Sequence, residues 1–165
     1  MAENPSEVGT QNKAQQDGAT QLVVNAQYTK DLSFEAPTAP AIYAKMKDEA
    51  PDVNIGVNVD FTEFDTNVFE VVLKIHSSCT VGDETAFLLE LEYAGLFTLN
   101  VDEEMKGPAL LIECPRLLFP FARNILADIS RDGGFPPLML GPIDFASMYQ
   151  EQLQKRTANT PLNNN

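Results

Sequence analysis

Few side chains in this chain could carry out acid–base or nucleophilic chemistry, and His76 is the first of them. It is the only histidine among 165 residues, and Ser77, Ser78 and Cys79 follow it directly. A serine or cysteine nucleophile needs a histidine base that a third group orients. The sequence around His76 does not supply the partner that would complete such a triad, and a lone histidine on a strand is usually exposed or hydrogen-bonded. The pattern therefore predicts no catalytic residue here.

Glu90 and Glu92 form the second candidate constellation, that of a general acid and a general base. Residues two apart on a strand lie ~6.6 Å from each other on one face, within reach of an acid and base pair. Such a pair also needs a pocket and a raised pKa. These glutamates lie on a polar face, which favours simple solvation. A small hydrolase that uses them remains an alternative to the function predicted below.

Cysteine content and charge narrow the range of partners. Cys79 and Cys114 have neither a paired spacing nor a histidine cluster beside them, so the sequence predicts two apolar fillers, no metal site and no cofactor. The formal net charge is −13 and the isoelectric point is about 4.3. Nucleic acid and anionic membranes would repel such a chain, whereas basic or apolar partners would not. No basic leader or bilayer-length apolar run is visible, which predicts a cytoplasmic protein.

Four strands are predicted to position these residues. In residues 28–37, YTKDLSFEAP, alternation separates two sets of side chains: Tyr28, Leu32, Phe34 and Ala36 on one side, and Thr29, Asp31, Ser33 and Glu35 on the other. The later strands are predicted over residues 52–61, 68–77 and 85–94. The loops between these three are short and hold no crossover helix, so we expect an antiparallel meander.

Two helices are predicted after the sheet. Residues 114–131 have a helical period, with Pro115 in the first turn and Gly133 after the end. A second helix is expected to begin with Asp144 as its N-cap. The proline-rich connector between them, FPPLMLGPI, can be neither helix nor central strand, although most of its residues are large and apolar.

The predicted elements make up an α+β fold with polar ends. We expect a disordered polar tail over residues 1–21, a single domain over residues 22–156 and a flexible C-terminal tail over residues 157–165. The domain carries more alternating apolar surface than one sheet and two helices can cover. An unpaired apolar face is normally buried by a partner subunit or reserved for a ligand.

Five segments taken together resemble the SecB family of bacterial export chaperones. They are, in order, YTKDLSFEAPTAP, VFEVVLKI, VGDETAFLLELEYAGLF, CPRLLFPFAR and GGFPPLMLGPIDFASMY, and the similarity extends over residues 28–153. The resemblance implies an ATP-independent holdase that keeps preproteins unfolded and passes them to the motor SecA. It also implies a homotetramer, a dimer of dimers with helices at its centre. The docking module of the motor would be its C-terminal zinc-binding segment.

The resemblance also guides the assignment of sites. The positions that match the SecA-contacting surface of the family are Asp31, Glu35, Leu88 and Glu90. A holdase captures unfolded clients through adaptable apolar contacts, and the candidates for such a groove are Val53, Ile55, Val57, Phe135, Leu138, Leu140, Met148 and Tyr149. Core and oligomer packing is assigned to Phe87, Leu89, Leu91 and Tyr93. A chaperone of the same fold that serves a single partner, such as an antitoxin, remains an alternative.

Overall fold

The computed structural model of the protein describes residues 21–158. Its elements in chain order are β1 Gln21–Glu35, α1 Ile42–Lys45, β2 Pro51–Asp65, β3 Val68–Val81, β4 Glu84–Asn100, α2 Glu103–Pro108, a π-helical segment Ala109–Glu113, α3 Cys114–Asp132 and α4 Phe145–Ala158. The predicted α+β class, with an antiparallel four-stranded sheet followed by helices, is confirmed. Most of the two predicted tails, residues 1–20 and 159–165, lies outside the described residues.

The strand order differs from the predicted meander in the position of β1. Tight turns at residues 66–67 and 82–83 join β2, β3 and β4, and Asn67 and Gly82 have positive φ angles of 58° and 63° there. The longer connection over residues 36–50 carries the chain from β1 to the far edge of the sheet. The order is therefore β1-β4-β3-β2, which is that of a Greek key. The meander prediction was right for β2 to β4 and wrong for β1.

A β-bulge at Lys30 decides which side chains of β1 share a face. The pairing with β4 skips Lys30 between Thr29 and Asp31. One extra residue inverts the alternation of the side chains that precede it. Tyr28 consequently lies on the face that carries Asp31, and the prediction that it shares a face with Leu32 was wrong. The alternation from Asp31 to the end of the strand is as predicted.

One face of the sheet packs against the helices, and we call it the helix face. α3 lies across β3 and β4, and Leu73, Leu89 and Leu91 beneath it are at most 1% exposed. The opposite, outer face carries polar side chains that include His76 and Glu90, both exposed. The alternation of residues 68–77 and 87–94 thus predicts their two faces correctly, with Leu73, Leu89 and Leu91 inward and His76 and Glu90 outward.

The two predicted helices are present with the expected signals at their starts. α3 has Pro115 in its first turn and continues through Pro120. Asp144 caps α4, because its carboxylate accepts hydrogen bonds from the backbone N–H of Ser147 at 3.0 Å and from the Ser147 hydroxyl at 2.8 Å. No helix within residues 21–158 is long and apolar enough to cross a membrane.

Residues 103–113 add a helical stretch that the sequence pattern did not predict. Gly107 and Pro108 lie within it, and both residue types normally disfavour a helix interior. The structure gives a reason for the glycine: a Cβ atom at Gly107 would lie 2.6 Å from the hydroxyl oxygen of Tyr149 in α4. The missing side chain therefore lets α4 approach this stretch closely.

Candidate functional site

The outer face brings the four predicted SecA-contacting residues together on two neighbouring strands. Glu35 of β1 lies directly opposite Leu88 of β4, and Ser33 lies opposite Glu90. Asp31 occupies the next outward position along β1. Directly opposite residues share a face, with Cβ atoms ~5 Å apart. We call Asp31, Glu35, Leu88 and Glu90 the acidic patch.

The carboxylate of Glu70, elsewhere on the outer face, is neutralised by its neighbours. Lys30 Nζ donates to its two oxygens at 2.9 and 2.8 Å, and the Tyr28 hydroxyl donates to one of them. These hydrogen bonds, that of Lys30 first, hold the pKa of Glu70 below its usual value. Partial burial, followed by the contact with Glu70, raises the pKa of Tyr28 to about 12. Glu70 therefore offers little charge to a partner.

Lys74 lies between two further carboxylates of the outer face and offsets part of their charge. Its Nζ lies 2.8 Å from Asp60 Oδ2 and 3.6 Å from Glu92 Oε1. By contrast, no lysine or arginine within residues 21–158 lies within ion-pair distance of Asp31 or Glu35. Two carboxylates of the acidic patch, Asp31 and Glu35, thus lack a lysine or arginine partner among the described residues.

A shallow depression of about 400 Å³ adjoins the acidic patch. Asp31, Glu90 and His76 line it, together with Gly56 of β2, above which the space is open. His76 Nδ1 lies 3.6 Å from Glu90 Oε1. Carboxylates around an open depression create a negative potential that attracts basic side chains and weakens with salt.

The structure separates His76 from two of the three possible nucleophiles that follow it in the sequence. His76 is on the outer face, whereas Ser77 and Cys79 are on the helix face and only 0% and 2% exposed. Burial, followed by the charge of Asp52, raises the pKa of the Cys79 thiol. The base and these two candidate nucleophiles thus lie on opposite sides of the sheet.

The carboxylate pair considered for acid–base chemistry lies on the outer face as well. Glu90 faces His76, and Glu92 lies within ion-pair distance of Lys74. Both carboxylates border the open depression rather than a closed pocket. This arrangement resembles a charged surface more than a hydrolytic site.

A small apolar cavity of about 140 Å³ lies on the helix face beside β2. Three predicted groove residues, Val53, Phe135 and Leu138, line it, and its other lining residues are Met46, Pro51, Cys79, Phe87, Pro136, Pro137 and Met139. Along the same strand face, Val53 and Ile55 are 40% and 41% exposed. Accessible apolar surface thus continues from the cavity along β2.

The remaining groove candidates are more buried than a groove requires. Phe135 and Leu140 are only 4% and 5% exposed and belong to the core. Val57, Met148 and Tyr149 are partly buried against that core. Leu140, Met148 and Tyr149 do not line the apolar cavity. The accessible part of the predicted groove is therefore centred on Val53 and Ile55.

The residues assigned to core and oligomer packing lie where a core role requires. Phe87, Leu89, Leu91 and Tyr93 are at most 7% exposed. The ring of Tyr93 stacks on that of Phe121 in α3, with centroids 6.1 Å apart. Phe121 itself is 52% exposed. The packing therefore continues to the surface of α3.

Sequence reasoning did not select His76 or Lys74 as part of this surface. Alternation placed both on the polar face of the third strand, which is correct. It could not show that they face Glu90 and Glu92, because the register between β3 and β4 depends on the turn that joins them.

Comparison with known proteins identifies the family. The family model described as Preprotein translocase subunit SecB matches residues 14–156. The chain belongs to the SecB family. The protein-export protein SecB of Paramagnetospirillum magneticum is 51% identical over 138 residues, which cover 84% of this chain and 89% of the relative. That of Parvibaculum lavamentivorans is 52% identical over 143 residues, with 86% and 84% covered. The resemblance read from five segments is confirmed, and the chain is a SecB chaperone of protein export.

A solved structure shares the fold at much lower sequence identity. The Mycobacterium tuberculosis Rv1957 SecB-like chaperone, in complex with a ChAD peptide from the Rv1956 HigA1 antitoxin, has a TM-score of 0.62 at 15% identity. The match covers 74% of this chain and 90% of that chain. At this identity, the likeness shows that the SecB-like fold is common to both and nothing about the client.

Proposed function

We propose that this SecB is an ATP-independent holdase of the cytoplasm that delivers unfolded preproteins to the motor SecA, and that SecA docks on the acidic patch. The observation that supports this is the distribution of charge on the outer face. Glu70, Asp60 and Glu92 lie within ion-pair distance of Lys30 or Lys74, whereas no lysine or arginine among residues 21–158 lies within ion-pair distance of Asp31 or Glu35. Neighbouring carboxylates without a lysine or arginine partner in the same chain can bind the basic side chains of another protein.

The docking energy would come from few contacts. Charge-assisted hydrogen bonds to Asp31, Glu35 and Glu90 set the encounter rate and the register. Leu88, which is partly exposed between them, supplies an apolar anchor. The partner module is the C-terminal zinc-binding segment of SecA, so the zinc belongs to the partner.

Client binding is assigned to the helix face. Val53 and Ile55 present apolar surface beside a cavity whose wall includes the flexible side chains of Met46 and Met139. Methionine adapts its shape to different apolar groups, which suits a chaperone that must hold many sequences. Each contact is modest, so capture is reversible.

Exposed apolar side chains elsewhere support assembly into a homotetramer built as a dimer of dimers. On α3, Leu117 and Phe121 are 42% and 52% exposed. On the edge strand β1, Val23 and Val24 are each 39% exposed. Burial of such surfaces between subunits is favourable by roughly 25 cal/mol per Å². Helices from several subunits would meet through α3.

Charge reversal in the acidic patch tests the docking proposal. The variant Asp31→Lys with Glu35→Lys turns two attractions into two repulsions, and we expect SecA affinity to fall by about 30-fold or more. The matched control is Asp48→Lys with Glu104→Lys, which changes the net charge equally at exposed sites away from the patch. Titration of labelled SecA measures both, and circular dichroism and light scattering check fold and assembly. Unchanged SecA affinity in the patch variant would refute docking on this face.

A further inference from the structure

His76 occupies a position on the outer face from which it can act on the acidic patch. It lies between Gly56 of β2 and Glu90 of β4, and Ser33 of β1 completes this row across the sheet. Its Nδ1 is 3.6 Å from Glu90 Oε1. The side chain is 54% exposed and lines the depression beside the patch. A partner that reaches Glu90 must therefore pass close to this imidazole.

The charged surroundings of His76 come from three strands. On β3 and β4 they are Lys74, Glu90 and Glu92, and on β1 they are Asp31 and Glu35. β2 contributes only Asn54, Gly56 and Asn58 to the positions nearest His76, and none of these titrates.

Within residues 21–158, Glu90 has His76 as its only basic neighbour within ion-pair distance. Among the described residues this imidazole is the one histidine side chain of the outer face, and histidine is the residue type whose charge ordinarily changes between about pH 5 and 8.

We propose that His76 competes with the docking partner for the Glu90 carboxylate when its imidazole is protonated, so that the acidic patch holds a cationic partner more weakly as the pH falls. The proposal rests on the proposed docking of SecA at this patch. With a neutral imidazole, Glu90 is available to a lysine or arginine of the partner. With an imidazolium, Glu90 is already paired and a positive charge repels the incoming cation.

The size of the effect follows from the geometry. The partner's cation and the imidazolium would share one carboxylate, which places the two positive charges within about 5–7 Å of each other on an open surface. At the high effective dielectric of such a surface, we expect affinity to fall by about 3- to 10-fold between about pH 8 and pH 6. By reciprocity, a bound cationic partner should disfavour protonation of the imidazole.

The test compares SecA dissociation constants of the full chain at about pH 8 and pH 6, at one fixed ionic strength. The dissociation constant of the wild type should rise about 3- to 10-fold from about pH 8 to pH 6. For His76→Gln, the dissociation constants at the two pH values should agree within about twofold, once the pH dependence of SecA itself is subtracted. Lys74→Gln is the matched control, because it removes a neighbouring charge that does not titrate in this range and should preserve the wild-type ratio.

A second readout follows the proton directly. Because the chain has one histidine, selective ¹⁵N-histidine labelling of an untagged protein reports on His76 alone. Its titration midpoint should move to lower pH when saturating SecA is added. An unchanged midpoint, or equal pH dependence in wild type and His76→Gln, would overturn the role of His76 while docking stands. If Asp31→Lys with Glu35→Lys also leaves SecA affinity unchanged at about pH 8, docking and the His76 proposal fall together.

Discussion

Truncation of Val53 and Ile55 is the sharpest test of where clients bind. The two side chains are 40% and 41% exposed, so somewhat less than half of their apolar surface is available to a client. Valine to alanine removes two carbon atoms and isoleucine to alanine removes three, at about 0.8 kcal/mol per buried carbon. The available fraction therefore amounts to about 0.6 and 1.0 kcal/mol. The double variant should bind an unfolded client about 15-fold more weakly.

The assay is equilibrium binding of a reduced, carboxyamidomethylated and fluorescently labelled protein that cannot fold. Because the buried fraction of both side chains is lost as well, the variant should also be less stable by about 2 kcal/mol, so assembly and melting are checked at the assay temperature. Phe64→Ala is the control, since Phe64 is 73% exposed at the far end of β2. If Phe64→Ala weakens capture as much as the double variant does, general exposed apolar surface explains binding and the groove assignment fails.

Two further predictions concern contacts that the structure shows outside the binding surfaces. The pKa of Glu70 is lowered from its usual 4.5. Its carboxylate therefore stabilises the fold above pH 4.5, and this stabilisation is lost as the pH falls through the lowered pKa. Urea melts should show that Glu70→Gln is less stable than the wild type at neutral pH and loses less stability in acid. Gly107→Ala should lower stability by about 1 kcal/mol, because overpacking against the Tyr149 hydroxyl exceeds the gain in helix propensity. Tyr149→Phe in the same chain should restore the loss, and a thermal melt that shows no restoration would contradict this contact.

Side-chain alternation predicted the faces of residues 68–77 and 87–94 because no bulge interrupts the pairing there. β3 and β4 pair along nearly their whole length, and from Leu88 to Tyr93 buried residues alternate with more exposed ones. The same reasoning failed at Tyr28, where a bulge inserts one residue. No local signal marks Lys30 as that residue. Its side chain contacts Glu70, which belongs to a different strand and is not adjacent in sequence.

The composition of the candidate site was predicted better than its electrostatics. Family resemblance and alternation together named Asp31, Glu35, Leu88 and Glu90, and the register places them side by side. The carboxylates of the outer face pair with lysines of other strands, and no sequence pattern specifies those pairs. For the same reason His76 was considered only as a catalytic candidate, although its position beside Glu90 gives it a different chemical role.

One aromatic cluster connects the acidic patch to the apolar cavity. Phe34 lies between the outward-facing Ser33 and Glu35 and stacks on Phe87 with ring centroids 5.6 Å apart. Phe87 in turn contacts Phe135 at 5.0 Å, and both line the cavity on the helix face. Packing of these rings holds Phe34 on the helix face, so its neighbours Ser33 and Glu35 point outward. The same packing positions Phe87 and Phe135 in the wall of the cavity. The proposed docking and client surfaces lie on opposite sides of one sheet, so a partner on the patch would not occupy the space of a client on the helix face. Such a separation permits transfer from a complex in which motor and client are bound at once.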